Sequence, residues 1–241
     1  RAVRFAASHG LEIEAATWKI ICELSPTISR ASPERLYEEI QKVFLLGSGR
    51  AAFDYLERSG LLAGLFPDLS RGLRDKCGLA ERVKAHLEIL DRQYRNGFLP
   101  TVPLFLAAFF GPVLEEAALE LNREGIPHRQ ALESVCAGFL RAQCKTVKIH
   151  GRAGSRMGSI LALQPSLQRR PPRRPARMVN RPEFADAVAY LRITAEASAT
   201  HREVVEWWDA FLSGSPLPSV PEAQSDGADG NGHRRRRRHR R

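Results

Sequence analysis

Residues 32–44, SPERLYEEIQKVF, contain the signals of an amphipathic helix in their expected order. A serine that can cap free backbone amides is followed by proline at the first helical position and by glutamate in the first turn. Arg35 and Glu39 are four residues apart, which predicts an ion pair along the helix. The segment therefore predicts a helix that begins after Ser32 and ends near Gly47. Its apolar positions recur at helical spacing on one face, namely Leu36, Ile40, Val43 and Phe44.

The same signals recur on both sides of this segment. No alternating strand pattern of useful length is present in the sequence, so the predicted fold class is all-α. A polar loop is expected at residues 68–78. Glycine and proline residues separate the further helices, which we predict at about residues 1–9, 15–24, 50–59, 79–96, 101–123, 127–146, 157–168, 174–180, 182–197 and 201–212.

The net charge of +10 is concentrated toward the C-terminal end. Residues 141–181 contain eleven Lys or Arg residues and no Asp or Glu, and residues 234–241 contain seven Arg. A solvated helix face usually interleaves both signs, whereas like charges without partners repel one another. A polyanion is therefore the expected partner. Pro, Gly, Ser and acidic residues dominate after Ser213, so we expect residues 214–241 to be a disordered, arginine-rich tail.

The sequence contains no complete catalytic centre. It has no paired Asp residues at the spacing of a two-metal site, no phosphate-binding glycine loop and no HExxH motif. The four cysteines are scattered, and we interpret Cys22 and Cys136 as small core residues. His86 and His128 are predicted to be surface or capping residues. We therefore expect no catalytic residue, no metal site and no bound cofactor in this chain.

Several motifs near the N-terminus resemble one family in combination. Residues 1–7 (RAVRFAA), 10–13 (GLEI) and the helix at 32–42 are similar to the neck of class II nucleotidyltransferases. That family includes the tRNA CCA-adding enzymes and the bacterial poly(A) polymerases. Residues 60–67, GLLAGLFP, continue the resemblance.

Downstream motifs are similar to the poly(A) polymerase branch of this family. They are residues 103–108 (PLFLAA), 163–165 (LQP), 169–174 (RRPPRR), the Arg181-Pro182 pair and the Trp207-Trp208 pair. The resemblance covers about residues 1–213. Residues 149–160 depart from the family pattern, and their extra glycines predict a looser loop.

The resemblance implies three regions and an activity. The regions are a neck of the RNA- and helicase-binding type at residues 1–67, a helical body with an Arg-rich RNA-binding part at 68–213, and the tail at 214–241. The activity is that of a polynucleotide adenylyltransferase, which adds AMP from ATP to RNA 3′ ends in mRNA polyadenylation and RNA turnover. We expect a catalytic head before Arg1, with metal-binding carboxylates that use Mg²⁺ and ATP. The chain alone is expected to be inactive.

Basic side chains of the body are the expected ligands of RNA phosphates, because closely spaced arginines can fork phosphate oxygens. Trp207 and Trp208 are adjacent on a predicted helix and face different ways, so we expect at least one of them in the core and not stacked on a base. The predicted RNA-binding residues are Lys145, Lys148, Arg152, Arg156, Arg169, Arg170, Arg173, Arg174, Arg177 and Arg181.

In the neck, Arg1 and Arg4 are expected near the nucleotide by resemblance. We expect them mainly to brace the neck, because Arg favours ion-pair networks. Ser32, Arg35 and Glu39 are the predicted structural residues of the neck.

The resemblance also implies binding partners for the chain. The expected partners are RNA 3′ ends and an RNA helicase or other RNA-decay proteins. The longest apolar run, residues 102–114, is too short to span a bilayer and contains proline and glycine, so we expect no membrane partner and a cytoplasmic location. A fragment of a tRNA CCA-adding enzyme and a stand-alone RNA- or protein-interaction module remain the alternatives.

Overall fold

The computed structural model describes residues 1–169 and 172–217. Within those residues it contains 13 α-helices and no strand, which confirms the all-α prediction. The predicted tail lies outside the described residues from position 218 onward. The helices are α1 (Ala2–His9), α2 (Ala15–Leu24), a 3₁₀ helix (Ser25–Arg30), α3 (Pro33–Phe44), α4 (Gly49–Arg58), α5 (Leu61–Leu65), α6 (Pro67–Asp75), α7 (Leu79–Arg95), α8 (Val102–Arg123), α9 (His128–Gln143), α10 (Gly151–Leu167), α11 (Pro175–Val179), α12 (Phe184–Ser198) and α13 (Arg202–Ser213).

Helix α8 is the centre of the fold, and it packs against α7, α9, α10 and α12. Its Phe109 ring lies 4.9 Å from the ring of Phe44 in α3 and 5.2 Å from that of Phe66. These rings join the predicted neck and body in one continuous hydrophobic core, and the boundary at residue 67 stays a prediction. By length and composition alone α8 could cross a membrane, but 67% of its most apolar window is buried inside the protein. Its apolar surface is therefore core surface.

The N-terminus of α3 forms as predicted, because the Ser32 hydroxyl accepts a hydrogen bond from the amide of Arg35 at 3.4 Å. The predicted ion pair between Arg35 and Glu39 is wrong. Glu39 lies 3.3 Å from Arg4 of α1 and 3.4 Å from Lys42. Because α1 packs on α3, the Arg4 and Glu39 side chains are only 24% and 30% exposed, which favours the interhelical pair over a solvated one.

Two segments that the sequence predicts to be loops are helical. The polar segment at 68–78 contains most of α6, which begins at Pro67 and buries Leu69. The glycine-containing segment at 149–160 forms the first part of α10. A β-carbon on Gly154 would lie 2.7 Å from Leu140 of α9, so glycine at this position lets the two helices pack closely. Gly154 therefore serves helix packing, whereas a β-carbon on Gly151 would meet no atom within 4 Å.

The prediction that His86 is a surface residue is wrong. Its side chain is 1% exposed, and its Nδ1 lies 3.1 Å from the carbonyl oxygen of Ala108. Burial lowers the pKa of His86 to about 4, so the ring is neutral at pH 7. Beside it, the Tyr190 hydroxyl donates to Glu115 at 3.2 Å, and Arg82 lies 3.6 Å from the same carboxylate. We call these four ionisable side chains the core polar cluster.

Candidate nucleic-acid interface

A cleft of about 920 Å³ lies between α9, α10 and the arginine-rich segment that follows α10. We call it the α9–α10 cleft. Because the side chains along α10 are small, a ligand in the cleft can approach that helix closely. The cleft residues on this helix recur every three or four positions along one face, and they include Gly151, Gly154, Ser155, Gly158, Ser159 and Ala162.

Arginine side chains form the opposite side of the cleft. Arg174 is the N-cap residue of α11 and has a φ of 54°, a left-handed conformation that costs a non-glycine residue about 1–2 kcal/mol. Buried Met178 anchors the short helix that follows this turn. Five of the predicted RNA-binding residues are thereby brought together in the cleft, namely Arg169, Arg173, Arg174, Arg177 and Arg181.

The charge of this group is largely unbalanced. Arg181 lies 3.7 Å from Glu183. The other four make no ion pair with any residue in the described part of the chain, namely Arg169, Arg173, Arg174 and Arg177. Unpaired arginines that face one cleft raise its positive potential, so the cleft is suited to an anion with several phosphate groups.

The remaining predicted RNA-binding residues lie elsewhere. Lys148 is bound to the start of α3: its Nζ lies 3.0 Å from Glu34, and its amide donates to the carbonyl oxygen of Pro33 at 3.1 Å. The hydrogen bond from Lys148 lowers the pKa of Glu34 to about 2. Lys148 therefore fastens the α9–α10 connection to the neck. Lys145, Arg152 and Arg156 are not among the residues of the cleft, and Arg170 lies outside the described residues.

Both tryptophans of α13 are core residues, as the sequence predicts for at least one of them. Trp207 is 5% exposed and Trp208 is 0% exposed. The Trp208 indole donates to the carbonyl oxygen of Leu167 at 3.0 Å, and its ring packs edge-on against Phe184. Neither ring is available to stack on a base. Trp208 instead holds the end of α10, two residues before Arg169.

The N-terminal arginines lie apart from the cleft. Arg1 and Arg4 line an apolar pocket of about 410 Å³ between α1, α2, the 3₁₀ helix and α3. The ion pair of Arg4 with Glu39 agrees with a bracing role, whereas Arg1 is exposed and makes no ion pair with a residue in the described ranges.

Three charged residues of the cleft were not predicted from the sequence. Arg129 and Glu133 are an i,i+4 pair on α9, with 2.9 Å between Nε and Oε1. Glu183 precedes α12. The spacing of Arg129 and Glu133 was visible in the sequence, but an i,i+4 pair is typical of any solvated helix face. His128, predicted to be a surface or capping residue, is half-buried as the first residue of α9 and also lines the cleft.

Two family models match the chain, and together they cover more than half of it. Residues 10–73 match a domain described as the probable RNA and SrmB-binding site of polymerase A. Residues 124–241 match the arginine-rich C-terminus of polymerase A, which includes the arginines of the cleft.

Curated relatives agree with the two domains. The chain is 28% identical over 221 residues to poly(A) polymerase I of Salmonella typhimurium and of Escherichia coli O157:H7, which is 90% of this chain and 48% of each relative. It is 26% identical over 215 residues to poly(A) polymerase I of Haemophilus influenzae, which is 88% of this chain and 48% of that protein. The chain thus spans about half the length of the curated relatives it matches. These relatives favour the poly(A) polymerase branch over the CCA-adding branch. The chain belongs to the poly(A) polymerase family, and it contains the RNA-binding and arginine-rich C-terminal domains of that family.

Proposed function

We propose that this chain is the RNA-binding part of a polynucleotide adenylyltransferase, which adds AMP from ATP to RNA 3′ ends in mRNA polyadenylation and RNA turnover. Its relatives are poly(A) polymerases about twice as long. Nucleotidyl transfer, with Mg²⁺ and ATP, belongs in this proposal to the rest of the parent protein, and the chain alone is inactive. The described ranges contain no group of three or more His, Cys, Asp or Glu side chains that could hold a metal ion. A cytoplasmic location is part of the same proposal.

The four unpaired arginines of the α9–α10 cleft carry this proposal. Elsewhere in the described chain, arginine and lysine side chains are frequently matched by carboxylates, as for Arg50 with Asp54 and Lys84 with Glu57. For these four cleft arginines the match is missing, so an RNA backbone would supply the counter-charge. Phosphate contacts position RNA without reading its sequence, which suits an enzyme that must accept many 3′ ends.

Replacing the four unpaired arginines with alanine tests the proposal. We expect the RNA affinity to fall about 10- to 50-fold at moderate salt, because four charge-assisted phosphate contacts are lost. The slope of log K against log salt should become shallower by about three units, at roughly 0.7 per phosphate of a single strand. Fluorescence anisotropy with a labelled oligoribonucleotide over a salt series measures both quantities. The substituted residues are Arg169, Arg173, Arg174 and Arg177.

A control variant removes the same charge outside the cleft and outside residues 10–73. The control variant should lose little RNA affinity and keep most of the salt slope, because salt screens charges that lie far from the bound RNA. Equal slopes for the wild type and the cleft variant would show that these arginines do not face RNA. The control replaces Arg74, Arg95, Arg123 and Arg202 with alanine.

We also propose that α2 contacts a protein partner of the RNA-helicase type, and SrmB is the partner named for the matched domain. Helix α2 buries none of its residues, and Ile20 and Leu24 are 53% and 57% exposed. Exposed apolar side chains on one helix are typical of a surface that a partner covers. Substituting Glu at both positions should weaken SrmB binding about tenfold or more, because a carboxylate would have to be desolvated at the interface.

The measurement is surface capture of SrmB by the wild type and the variant, with RNA affinity recorded in parallel. The contribution of the cleft arginines to the salt slope should not change, since α2 is not part of the cleft. The matched control places Glu at Leu99 and Leu212, which are 74% and 45% exposed outside the matched domain. Undiminished SrmB binding by the α2 variant would contradict the proposal.

A further inference from the structure

Two carboxylates lie in the α9–α10 cleft beside its arginines. Glu133 pairs with Arg129 at 2.9 Å, and Glu183 lies 3.7 Å from Arg181. The two carboxylates differ in solvation, because the Glu133 side chain is 59% exposed and that of Glu183 is only 16% exposed. A carboxylate with little access to water is screened less by salt, so Glu183 acts more strongly on its surroundings.

The position of Glu183 is not explained by helix capping. It is the N-cap residue of α12, but its side chain accepts no hydrogen bond from the amides of that helix. Its ion pair is with Arg181, across the turn that leads from α11 into α12. At 3.7 Å the contact is loose, so a phosphate that forks the guanidinium at shorter distance can replace it.

We propose that Glu183 limits the affinity of the cleft for RNA, by holding Arg181 in the free protein and competing with an RNA phosphate for it. This inference rests on the proposed function, in which the cleft binds RNA through its unpaired arginines. Arg181 differs from those four in having an internal anion as its partner. While Arg181 stays with Glu183, RNA has one contact fewer than the number of arginines suggests, and its residence time in the cleft is shortened.

The test is RNA binding by the Glu183→Gln variant, since glutamine keeps the shape of the side chain and removes the charge. We expect the dissociation constant to fall about three- to tenfold, mainly through slower dissociation. The salt slope should steepen by about 0.7, which is one additional phosphate contact on a single strand. Unchanged or weaker binding by a folded variant would overturn the proposal.

Two further variants separate this role from general charge effects. Glu133→Gln should tighten binding less than Glu183→Gln, because the Glu133 carboxylate is well solvated. Asp75→Asn removes an exposed carboxylate of α6 outside the cleft and should leave the salt slope unchanged. An equal gain from all three would show a net-charge effect and overturn a specific role for Glu183.

A double-mutant comparison tests the route through Arg181. In an Arg181→Ala background, Glu183→Gln should give a much smaller gain in affinity, because no guanidinium remains to be released. A gain of the same size would overturn the competition for Arg181. A purely structural role predicts a lower unfolding midpoint for Glu183→Gln with the salt slope unchanged. The unfolding midpoint can be measured even if RNA binding is weak.

If RNA binding depends on the four unpaired arginines but Glu183→Gln has no effect, only this inference fails. If binding does not depend on those arginines, the proposed function fails.

Discussion

Replacing Trp208 with alanine is expected to lower the free energy of unfolding by about 3–5 kcal/mol, the usual range for removing a fully buried tryptophan. The side chain is 0% exposed and packs edge-on against Phe184. The substitution also leaves the carbonyl oxygen of Leu167 without its indole donor. Urea unfolding followed by far-ultraviolet circular dichroism measures the loss, since the helical signal reports the whole fold.

RNA binding by this variant distinguishes a core residue from a base-stacking one. At a temperature where the variant is still folded, we expect its RNA affinity to change only a few-fold, through the end of α10 that Trp208 holds. Trp208→Phe serves as the control, because it keeps an aromatic ring and loses the hydrogen bond together with part of the buried ring volume, for a smaller cost of about 1–3 kcal/mol. A stable Trp208→Ala protein that has lost RNA binding would contradict the core assignment.

The helical class followed from local signals, because caps, prolines and apolar spacing act within one or two turns. The α3 segment shows what these local signals can predict and what they cannot. Its cap at Ser32 is set by adjacent residues and was predicted correctly. The partner of Glu39 depends on α1 packing across α3, and no spacing within α3 contains that information.

The same limit applies to the glycines of α10. In a sequence, glycine indicates turns and freedom of the chain, but Gly154 permits close contact with Leu140 of another helix.

The residues of the cleft could be predicted from the sequence only in part. A run of basic residues without acidic ones located the arginines of the cleft, because charge segregation is visible in the sequence. It could not show that Lys148 pairs with Glu34 or that Glu183 lies beside Arg181, since both pairings depend on how the elements meet.

Replacing Glu115 with glutamine is expected to stabilise the protein increasingly as the pH is raised from about 4.5 to 7. Burial raises the pKa of the Glu115 carboxyl to about 7, against the opposing charge of Arg82 and the hydrogen bond from Tyr190. In this window the folded protein keeps a proton that the unfolded chain has lost. The Glu115 contribution to wild-type stability is therefore fully present at low pH and is lost as the pH rises to 7.

Glutamine can accept the Tyr190 hydrogen bond without ionising, so the variant should gain about 2–3 kcal/mol over the wild type near pH 7, at roughly 1.4 kcal/mol per pKa unit. The expected gain is below the full value because 23% of the Glu115 side chain is exposed. The difference between the two proteins is the quantity to measure, by urea unfolding at each pH. The wild type alone is a poor measure, because His86, with its pKa lowered to about 4, makes stability rise with pH between about 4 and 6.5.

With Glu115 replaced, the opposing contribution of His86 should become visible. The absolute stability of Glu115→Gln should rise between about pH 4 and 6.5, whereas in the wild type the two contributions largely cancel over the shared part of the window. Glu124→Gln is the matched control, since it removes an exposed carboxylate directly after α8 and should follow the wild type at every pH. A constant difference between Glu115→Gln and the wild type across the window would show that Glu115 ionises alike in the folded and unfolded states. The core polar cluster would then be solvated by water and not enclosed by α7, α8 and α12.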